Sequence, residues 1–296
     1  MRLTKHHGLG NDFLVVLDPD ASHPLDADLV RALCDRHTGV GADGILRATP
    51  AAPGGPARAR MELRNADGSA AEMSGNGIRC LAQALLLSGW PGVAGASEIA
   101  IETDAGLRMV TVHDRLDAVT HDLSVAMGAA RVEGDAPEWT GSGVARALLV
   151  DMGNPHLVLD LSGDAGQAAG GSHDGRPDDG AGNDGDGVDL VALGEAVNAK
   201  VPGGANVHLL TTTASAAGIA VRTYERGVGP TLACGTGACA AAVAARRWGM
   251  AGDRVGVDMP GGRAEVSLGA TDRDPVVLRG PAVFVAAIEL GASPWR

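Results

Sequence analysis

Residues 224–240 read YERGVGPTLACGTGACA, so that Cys234 and a Gly-Thr-Gly turn stand directly before an alanine-rich segment. A second stretch, residues 64–80, reads RNADGSAAEMSGNGIRC and repeats the arrangement with Ser74 in place of the cysteine. In both stretches a strand and a turn precede a helix that begins on glycine. The chain is therefore predicted to hold two related units that share one active site, each unit presenting a helix N-terminus to the ligand.

The residues around these stretches alternate between strand and helix patterns. We predict strands at 13–17, 60–64, 207–211, 219–225 and 282–290, two short strands within 147–161, a hairpin within 98–113, and helices from Asp26, at 75–87, at 189–200 and at 235–248. Residues 163–188 are dominated by Gly, Asp and Ala. We interpret this segment as a flexible surface insertion, because it has almost no large apolar side chain to bury.

Composition excludes several classes of partner. The formal net charge is -12 and the chain has two lysines, Lys5 and Lys200, so a nucleic-acid partner is not expected. No apolar run is long enough to span a membrane and no signal peptide is apparent, so a soluble, cytoplasmic protein is expected. The four cysteines, at 34, 80, 234 and 239, form no CxxC pair and are predicted to be reduced thiols. No metal site is predicted, since neither HExxH nor a tight cluster of ligands occurs.

Cys234 is the first candidate for chemistry. A thiol at a helix start lies where the helix dipole favours the thiolate, so Cys234 could act as a base or nucleophile. The alternative is that Cys234 is a small buried side chain that only fills space in the core, an interpretation that fits Cys239 better. The backbone N–H groups of the two glycine-containing helix starts could hold a carboxylate between them. A phosphate could bind in the same way, but the P-loop lysine is missing.

Polar residues in turns form a second set of candidates. Four asparagines each lie in a turn containing Gly, Asp or Pro, where an Asx-turn or a cap is the simpler interpretation of each one alone. The presence of four such asparagines indicates a role beyond local turns; they are Asn11, Asn65, Asn154 and Asn206. His156 follows one of these turns, and Glu225-Arg226 ends a predicted strand. Taken singly, His156 would be a histidine whose hydrogen bonds are made within the protein, and Glu225-Arg226 would be a solvent-exposed charge pair.

In combination, HGLGNDF, RNADGSAAEMSGNGIRC, GNPH, ANVHLL and YERGVGPTLACGTGACA resemble the diaminopimelate epimerase family over nearly the whole chain. The resemblance implies an α/β (α+β) fold of two pseudo-symmetric domains, each a rolled mixed β-sheet around a central helix. These would be residues 1–122 with the returning strand 280–296, and residues 123–279. It also implies interconversion of LL- and meso-2,6-diaminopimelate, an amino-acid substrate of lysine and peptidoglycan precursor biosynthesis, without pyridoxal phosphate or metal. A homodimer is compatible with it.

The resemblance assigns a role to each candidate. Cys234 matches one catalytic cysteine, and Ser74 occupies the position of the other. The positions that match the carboxylate-holding peptide groups are Gly75, Asn76, Gly235 and Thr236. Asn11 matches a substrate contact, and the residues matching those at the distal end of the substrate are Asn65, Asn154, Asn206 and Arg226. His156 and Glu225 match residues that tune the catalytic pair, and Glu225 also belongs to the substrate-binding set. Gly44 departs from a glutamine that some members have.

Ser74 is the larger departure from the family pattern. A serine hydroxyl is a far poorer base than a thiol near neutral pH, and Cys80 lies about 240° around the helix from Ser74, so it is not an obvious substitute. An engineered Cys-to-Ser change would read identically. Three hypotheses remain: an epimerase in which Cys234 works with a weak or water-assisted group at Ser74; a divergent racemase, isomerase or dehydratase that needs one thiol; and a non-catalytic amino-acid binding protein.

Overall fold

The computed structural model describes residues 1–141, 143–162, 188–213 and 218–291, and the chain divides into two compact units. One unit is Met1–Ala126 with Arg279–Arg296, and the other is Met127–Leu278. Of the predicted insertion 163–188, residues 163–187 lie outside the described part of the chain. None of the described helices is both long enough and apolar enough to cross a membrane.

The first unit contains most of the N-terminal strands and two helices. Its elements are β1 (Arg2–Gly8), β2 (Asn11–Leu17), α1 (Ala27–Cys34), β3 (Gly44–Thr49), β4 (Ala59–Asn65), β5 (Ala70–Ala71), α2 (Gly75–Ser88), β6 (Glu98–Thr103), β7 (Gly106–Arg115) and the first part of β8 (Thr120–Ala129). Asp26 caps α1 as predicted, with its side chain accepting a hydrogen bond from the Leu29 N–H. Gly89 ends α2 in the left-handed conformation, with φ 69°, which favours glycine.

The second unit repeats this series. Its elements are β9 (Arg131–Asp135), β10 (Arg146–Asp151), β11 (Pro155–Asp160), α3 (Leu190–Lys200), β12 (Asn206–Thr212), β13 (Gly218–Glu225), β14 (Gly229–Thr231), α4 (Gly235–Arg247), β15 (Arg254–Met259), β16 (Gly262–Ser267) and the first part of β17 (Pro275–Glu289). The chain passes from the first unit to the second within β8 and returns within β17.

The strand order of the two units is the same. In the first unit, β1–β2, β3–β4 and β6–β7 pair antiparallel, while β2–β3 and β4–β6 pair parallel. In the second, β10–β11, β12–β13 and β15–β16 pair antiparallel, while β11–β12 and β13–β15 pair parallel. The predicted internal repetition is therefore present in the backbone topology, and β5 and β14 hold matching positions before α2 and α4.

Each unit has a helix buried inside its own strands. Helix α2 contacts β1, β2, β3, β4 and β7, and α4 contacts β10, β11, β12, β13, β15 and β16. Contacts with strands from across a sheet require that sheet to curl around the helix. In α4 the buried face is built from Ala240, Ala241, Ala242, Ala244 and Ala245, which are fully buried. Small side chains on this helix let the strands approach its axis closely.

Two expectations about elements need correction. The predicted strand at 13–17 is β2, but β1 at Arg2–Gly8 precedes it and was not predicted; Leu3 and His6 of its mostly polar sequence RLTKHHG turn inward. Val188 was included in the surface insertion but belongs to the core of the second unit, together with Leu190 and Val197. It directly precedes Asp189, which caps α3, and a hydrophobic residue at that position packs against the helix it precedes.

Candidate functional site

Six of the residues that the sequence singled out lie at two helix N-termini. Ser74 precedes α2 with φ −139° and ψ 123°, and its Oγ accepts a hydrogen bond from the Gly77 N–H at 3.0 Å. Cys234 precedes α4 with φ −121° and ψ 115°, and its Sγ accepts a hydrogen bond from the Gly237 N–H at 3.4 Å. The hydroxyl and the thiol therefore hold the same position in the two units, as N-caps of the central helices.

The first turn of each helix offers backbone donors beside its cap. Gly75 and Asn76 begin α2, and Gly235 and Thr236 begin α4. N–H groups of a first turn have no carbonyl partner within the helix, and the helix dipole makes this end positive. Each helix start can therefore receive a carboxylate.

The Cys234 thiol is buried and surrounded by polar groups. It forms a hydrogen bond with the Glu225 side chain, lies 3.5 Å from Thr236 Oγ1, and is 5% exposed. Burial raises the pKa of the thiol above its ordinary value, and the Glu225 carboxylate raises it further, against the opposing effect of Thr236 and the Gly237 N–H. The helix-start N–H thus favours the thiolate as expected, but burial and Glu225 outweigh it and favour the protonated thiol.

His156 lies in a chain of buried side chains beneath α4. Its Nε2 is 2.8 Å from Asn154 Oδ1, and its Nδ1 is 2.8 Å from Nε2 of His208. Nδ1 of His208 is in turn 3.0 Å from Thr223 Oγ1. Burial lowers the pKa of His156 to about 3, with a smaller contribution from the Arg226 charge, and burial also lowers the pKa of His208. Both imidazoles are therefore neutral at physiological pH.

Asn206 and Arg226 are connected to each other. Asn206 Oδ1 accepts a hydrogen bond from the Arg226 backbone N–H at 2.9 Å, and its Nδ2 donates to the Pro155 carbonyl at 3.4 Å. The Arg226 guanidinium is exposed and donates through Nη1 to the Gly203 carbonyl. A guanidinium carries five N–H donors, so this bond leaves it able to bind a carboxylate.

Asn11 of the first unit is held by polar contacts on both sides of its amide. Its Nδ2 donates to Asp43 Oδ2 at 2.8 Å, and its Oδ1 accepts from Asn76 Nδ2 at 3.2 Å. Asn76 Oδ1 accepts from Nη2 of the fully buried Arg79 at 2.8 Å, and Nη1 of Arg79 donates to the Gly75 carbonyl at 3.1 Å. The structure thus joins Asn11 to the α2 start and adds a buried positive charge there.

Asn65 is the exposed last residue of β4, at the start of the turn that follows. Its Nδ2 donates to Ser69 Oγ at 3.0 Å, and its carbonyl accepts from the Gly68 N–H at 2.9 Å, so it performs the local turn role of an asparagine. It lies opposite Gly44 in the β3–β4 register. A Cβ at Gly44 would lie 2.6 Å from the Arg64 carbonyl oxygen, which explains why this chain has no side chain at that position.

Four residues of these networks were not singled out from the sequence: Asp43, Arg79, His208 and Thr223. A usable signal existed for His208, because residues two apart on a strand share a face, and His208 follows Asn206 at that spacing. The register then brings β12 beside His156, which pairs with Asn206. Within the described ranges, no three His, Cys, Asp or Glu side chains lie where they could hold a metal ion.

Comparison with known protein families gives a consistent result. The family model described as diaminopimelate epimerase matches residues 3–133 and 148–285. The diaminopimelate epimerase of Mycobacterium ulcerans is 40% identical over 313 aligned residues, covering 100% of this chain and 99% of that protein. The diaminopimelate epimerase of Mycolicibacterium gilvum is 38% identical over 311 residues, with the same coverage.

Solved structures with low identity share the fold. A hydroxyproline epimerase from Agrobacterium vitis matches with a TM-score of 0.67 at 18% identity, covering 97% of this chain and 91% of that chain. A Bacillus anthracis phenazine biosynthesis protein of the PhzF family matches with a TM-score of 0.72 at 14% identity, covering 99% of each chain. The fold class predicted from the sequence is confirmed.

Proposed function

Since the chain belongs to the diaminopimelate epimerase family and is an isomerase, we propose that it interconverts LL- and meso-2,6-diaminopimelate with Cys234 as its principal acid–base residue. The observation that carries the residue assignment is the buried N-cap thiol, which is hydrogen-bonded to Glu225 and followed by the first-turn N–H groups of α4. A thiol in this position can give a proton to an α-carbon while the adjacent N–H groups receive the carboxylate of the same substrate.

The proton balance assigns a role to each group. In one direction, a base on the Ser74 side takes the α-proton, the negative charge is delocalised onto the substrate carboxylate, and Cys234 delivers its proton to the opposite face of the carbon. The thiolate left on Cys234 is reset by a proton that returns through Glu225 from solvent. The group on the Ser74 side then loses the α-proton to solvent. In the other direction, Glu225 first accepts the thiol proton, the thiolate takes the α-proton, and the group on the Ser74 side, protonated from solvent, gives a proton to the opposite face. Glu225 then releases its proton to solvent.

Substrate contacts are proposed for both ends of the amino acid. The N–H groups of Gly75 and Asn76 and of Gly235 and Thr236 would stabilise the reacting carboxylate, with Asn11 beside them. The distal end would be held by Asn65, Asn154, Asn206 and Arg226, while Glu225 would contact the substrate as well as tune Cys234. His156 would act indirectly, by positioning Asn154.

Cysteine chemistry rather than a pyridoxal Schiff base is supported by the lysines. A pyridoxal enzyme attaches its cofactor to a lysine amine, and this chain has two lysines. Lys5 pairs with Asp12 at 2.8 Å and donates to the Gly41 carbonyl, while the Lys200 ammonium lies over the Trp139 ring. Within the described part of the chain, these partners of the two lysines are not residues of the proposed site.

A second candidate is a one-thiol racemase or isomerase. The observation favouring it is that Ser74 is fully accounted for as the N-cap of α2, since serine is among the best capping residues. In that case Ser74 would have no part in proton transfer.

Incubation with LL- and meso-diaminopimelate in heavy water tests the proposal. We expect deuterium at Cα together with a change in isomer ratio, and loss of both in Cys234→Ala. Cys34→Ala removes another buried thiol, at the end of α1, and should keep the activity. Deuteration without inversion would favour the one-thiol alternative. Binding without either reaction would show a non-catalytic amino-acid binding protein.

A further inference from the structure

The hydrogen-bond chain beneath α4 has a defined direction. An amide oxygen can only accept, so with Asn154 Oδ1 facing His156 it is the His156 Nε2–H that donates. Nδ1 of His156 then accepts from the His208 Nε2–H, and Nδ1 of His208 accepts from the Thr223 hydroxyl. The chain therefore runs from Thr223 to Asn154 with both imidazoles in the Nε2–H tautomer.

Thr223 supplies the preference for this direction. Its side chain is 3% exposed, and among the described residues His208 Nδ1 is the hydrogen-bond partner recorded for its hydroxyl. In the reversed chain Nδ1 of His208 would carry the proton and donate to Thr223, which would leave the hydroxyl hydrogen buried without an acceptor. An unsatisfied buried donor costs about 1–3 kcal/mol, so the forward direction is favoured.

The first unit shows that the fold does not need these polar groups. Leu46 pairs with Leu63 across β3–β4, as His208 pairs with Thr223 across β12–β13. Phe13 holds the position of His156 in the register of the neighbouring parallel strand. All three apolar residues are buried. The same location is thus packed with hydrocarbon in one unit and with a hydrogen-bonded chain in the other.

The contact with the helix start confirms that the two locations correspond. A Cβ built on Gly77 would lie 3.3 Å from Cδ2 of Leu46, and a Cβ on Gly237 would lie 2.2 Å from Cε1 of His208. Each side chain therefore packs directly below the third residue of its central helix. At Gly237 only glycine fits, and the His208 ring is held by this contact as well as by its hydrogen bonds.

We propose that Thr223 and His208 are positioning residues that fix the side-chain amide of Asn154, through His156, with its Nδ2 donors turned toward the substrate. Because Oδ1 is occupied by the His156 Nε2–H, the amide presents N–H groups, which bind a carboxylate and not an ammonium group. This assignment gives the second unit a carboxylate-selective contact and rests on the proposed function for the identity of the ligand. Asn11 differs, since Asp43 and Asn76 hold its amide directly.

Histidine tautomers in Thr223→Val and Thr223→Ser test this assignment. Neutral imidazole nitrogens with and without hydrogen give well-separated ¹⁵N signals, and variants of each histidine identify the signals in protein labelled with ¹⁵N-histidine. We expect the Nε2–H form for both His156 and His208 in the unmodified protein and in Thr223→Ser, which keeps the hydroxyl. In Thr223→Val the preference is lost, and both tautomers should be populated.

Ligand binding gives the second readout. If the competent orientation falls to about half of the population, the Kd for diaminopimelate rises about twofold in Thr223→Val, with kcat unchanged. The Nδ1–H form in the unmodified protein, or identical tautomers in the valine and serine variants, would overturn the proposal. Predicted tautomers in a protein that binds no diaminopimelate would instead refute the proposed function while leaving the hydrogen-bond direction intact.

Discussion

Ser74 and Cys234 have the same backbone conformation and the same capping bond, and they differ in one atom. The serine oxygen accepts from the Gly77 N–H at 3.0 Å, whereas the larger sulfur accepts from the Gly237 N–H at 3.4 Å. Oxygen is the better cap, since serine is a preferred N-cap residue. Sulfur is the better acid–base group, because a thiol ionises far more readily than an alcohol. Position 74 therefore favours the stability of α2, and position 234 favours proton transfer.

Ser74→Cys should raise epimerisation. If the proposed two-base reaction is correct, a second thiol at the α2 start adds an efficient proton-transfer group, and positioned acid–base catalysis contributes about 10² to 10⁴-fold. The measurement is kcat/KM in both directions for the unmodified protein, Ser74→Cys and Ser74→Ala. Binding of an unreactive substrate analogue controls for folding and affinity.

The two variants together discriminate between the hypotheses for position 74. Ser74→Ala should lower activity if the hydroxyl moves a proton or holds a water that does so. Unchanged turnover in Ser74→Ala would exclude any acid–base role for the hydroxyl. Fast inversion that Ser74→Cys does not improve would mean that serine belongs to a working alternative mechanism.

The ionisation state of Cys234 could not be obtained from the sequence. The helix dipole at an N-cap was visible in the pattern, and such an effect is worth about 0.3–1 kcal/mol. Burial can shift a pKa by several units. The further effect of Glu225 depends on β13, the strand that brings this carboxylate to the thiol. The sequence thus placed Cys234 correctly at a helix start, but burial and Glu225, which depend on the folded structure, determine whether the thiol is charged.

Among the elements, helices α2, α3 and α4 and the hairpin β6–β7 followed from periodicity and capping. Asp26 caps α1 as predicted, and Asp189, which was expected to be the first residue of a helix, is the cap of α3. Strands β5 and β14 were not predicted, because two or three residues are too few for an alternating pattern. Strand β1 was missed because its inward residue His6 is polar, and its partners Gln83 and Thr4 are known only from the fold.

At Gly194 in α3, helix propensity alone predicts the wrong sign for the stability change caused by an alanine substitution. Replacing a glycine inside a helix with alanine normally stabilises it by about 1 kcal/mol. In α3, however, a Cβ at Gly194 would lie 2.3 Å from Cγ of Tyr224 on β13, against the body of a rigid ring. We therefore expect Gly194→Ala to destabilise the protein by about 1–3 kcal/mol, as overpacked cores do.

A double-mutant cycle isolates this contact. In a Tyr224→Leu background the ring is gone, and Gly194→Ala should become neutral or stabilising. Urea unfolding of the four proteins gives the coupling free energy. Equal effects of Gly194→Ala in both backgrounds would mean that the Tyr224 ring is not what requires glycine in α3.

At the scale of the whole molecule, the sequence revealed the repetition only where backbone geometry demands particular residues. Gly77 and Gly237 match because both helix starts pack on a strand side chain: a Cβ would lie 3.3 Å from Cδ2 of Leu46 at Gly77 and 2.2 Å from Cε1 of His208 at Gly237. The strands themselves carry no such signature, since Phe13 and His156 fill equivalent positions with different chemistry. Shared topology was therefore predictable from the helix starts, and the difference in polarity between the two units was not.

This difference allows each unit to serve as a control for the other. Buried hydrogen-bonded groups replaced together by apolar ones of similar shape leave stability unchanged or raise it. We expect His156→Phe/His208→Leu/Thr223→Val, which gives the second unit the apolar character of the first, to keep its free energy of unfolding or gain up to about 2 kcal/mol. The kcat/KM for epimerisation should fall, because Asn154 is no longer oriented by His156.

The reciprocal variant, Phe13→His/Leu46→His/Leu63→Thr, places the polar chain in the first unit. There the terminal partner differs, since Asn11 is already bonded to Asp43 and Asn76. The new chain would end on an unsatisfied group, and stability should fall by about 1–3 kcal/mol. Chemical unfolding of both triple variants and the unmodified protein measures how the two exchanges differ in their effect on the free energy of unfolding. If the apolar variant of the second unit loses as much stability as the polar variant of the first, the chain beneath α4 is needed for folding, and its presence there is no evidence of a role in catalysis.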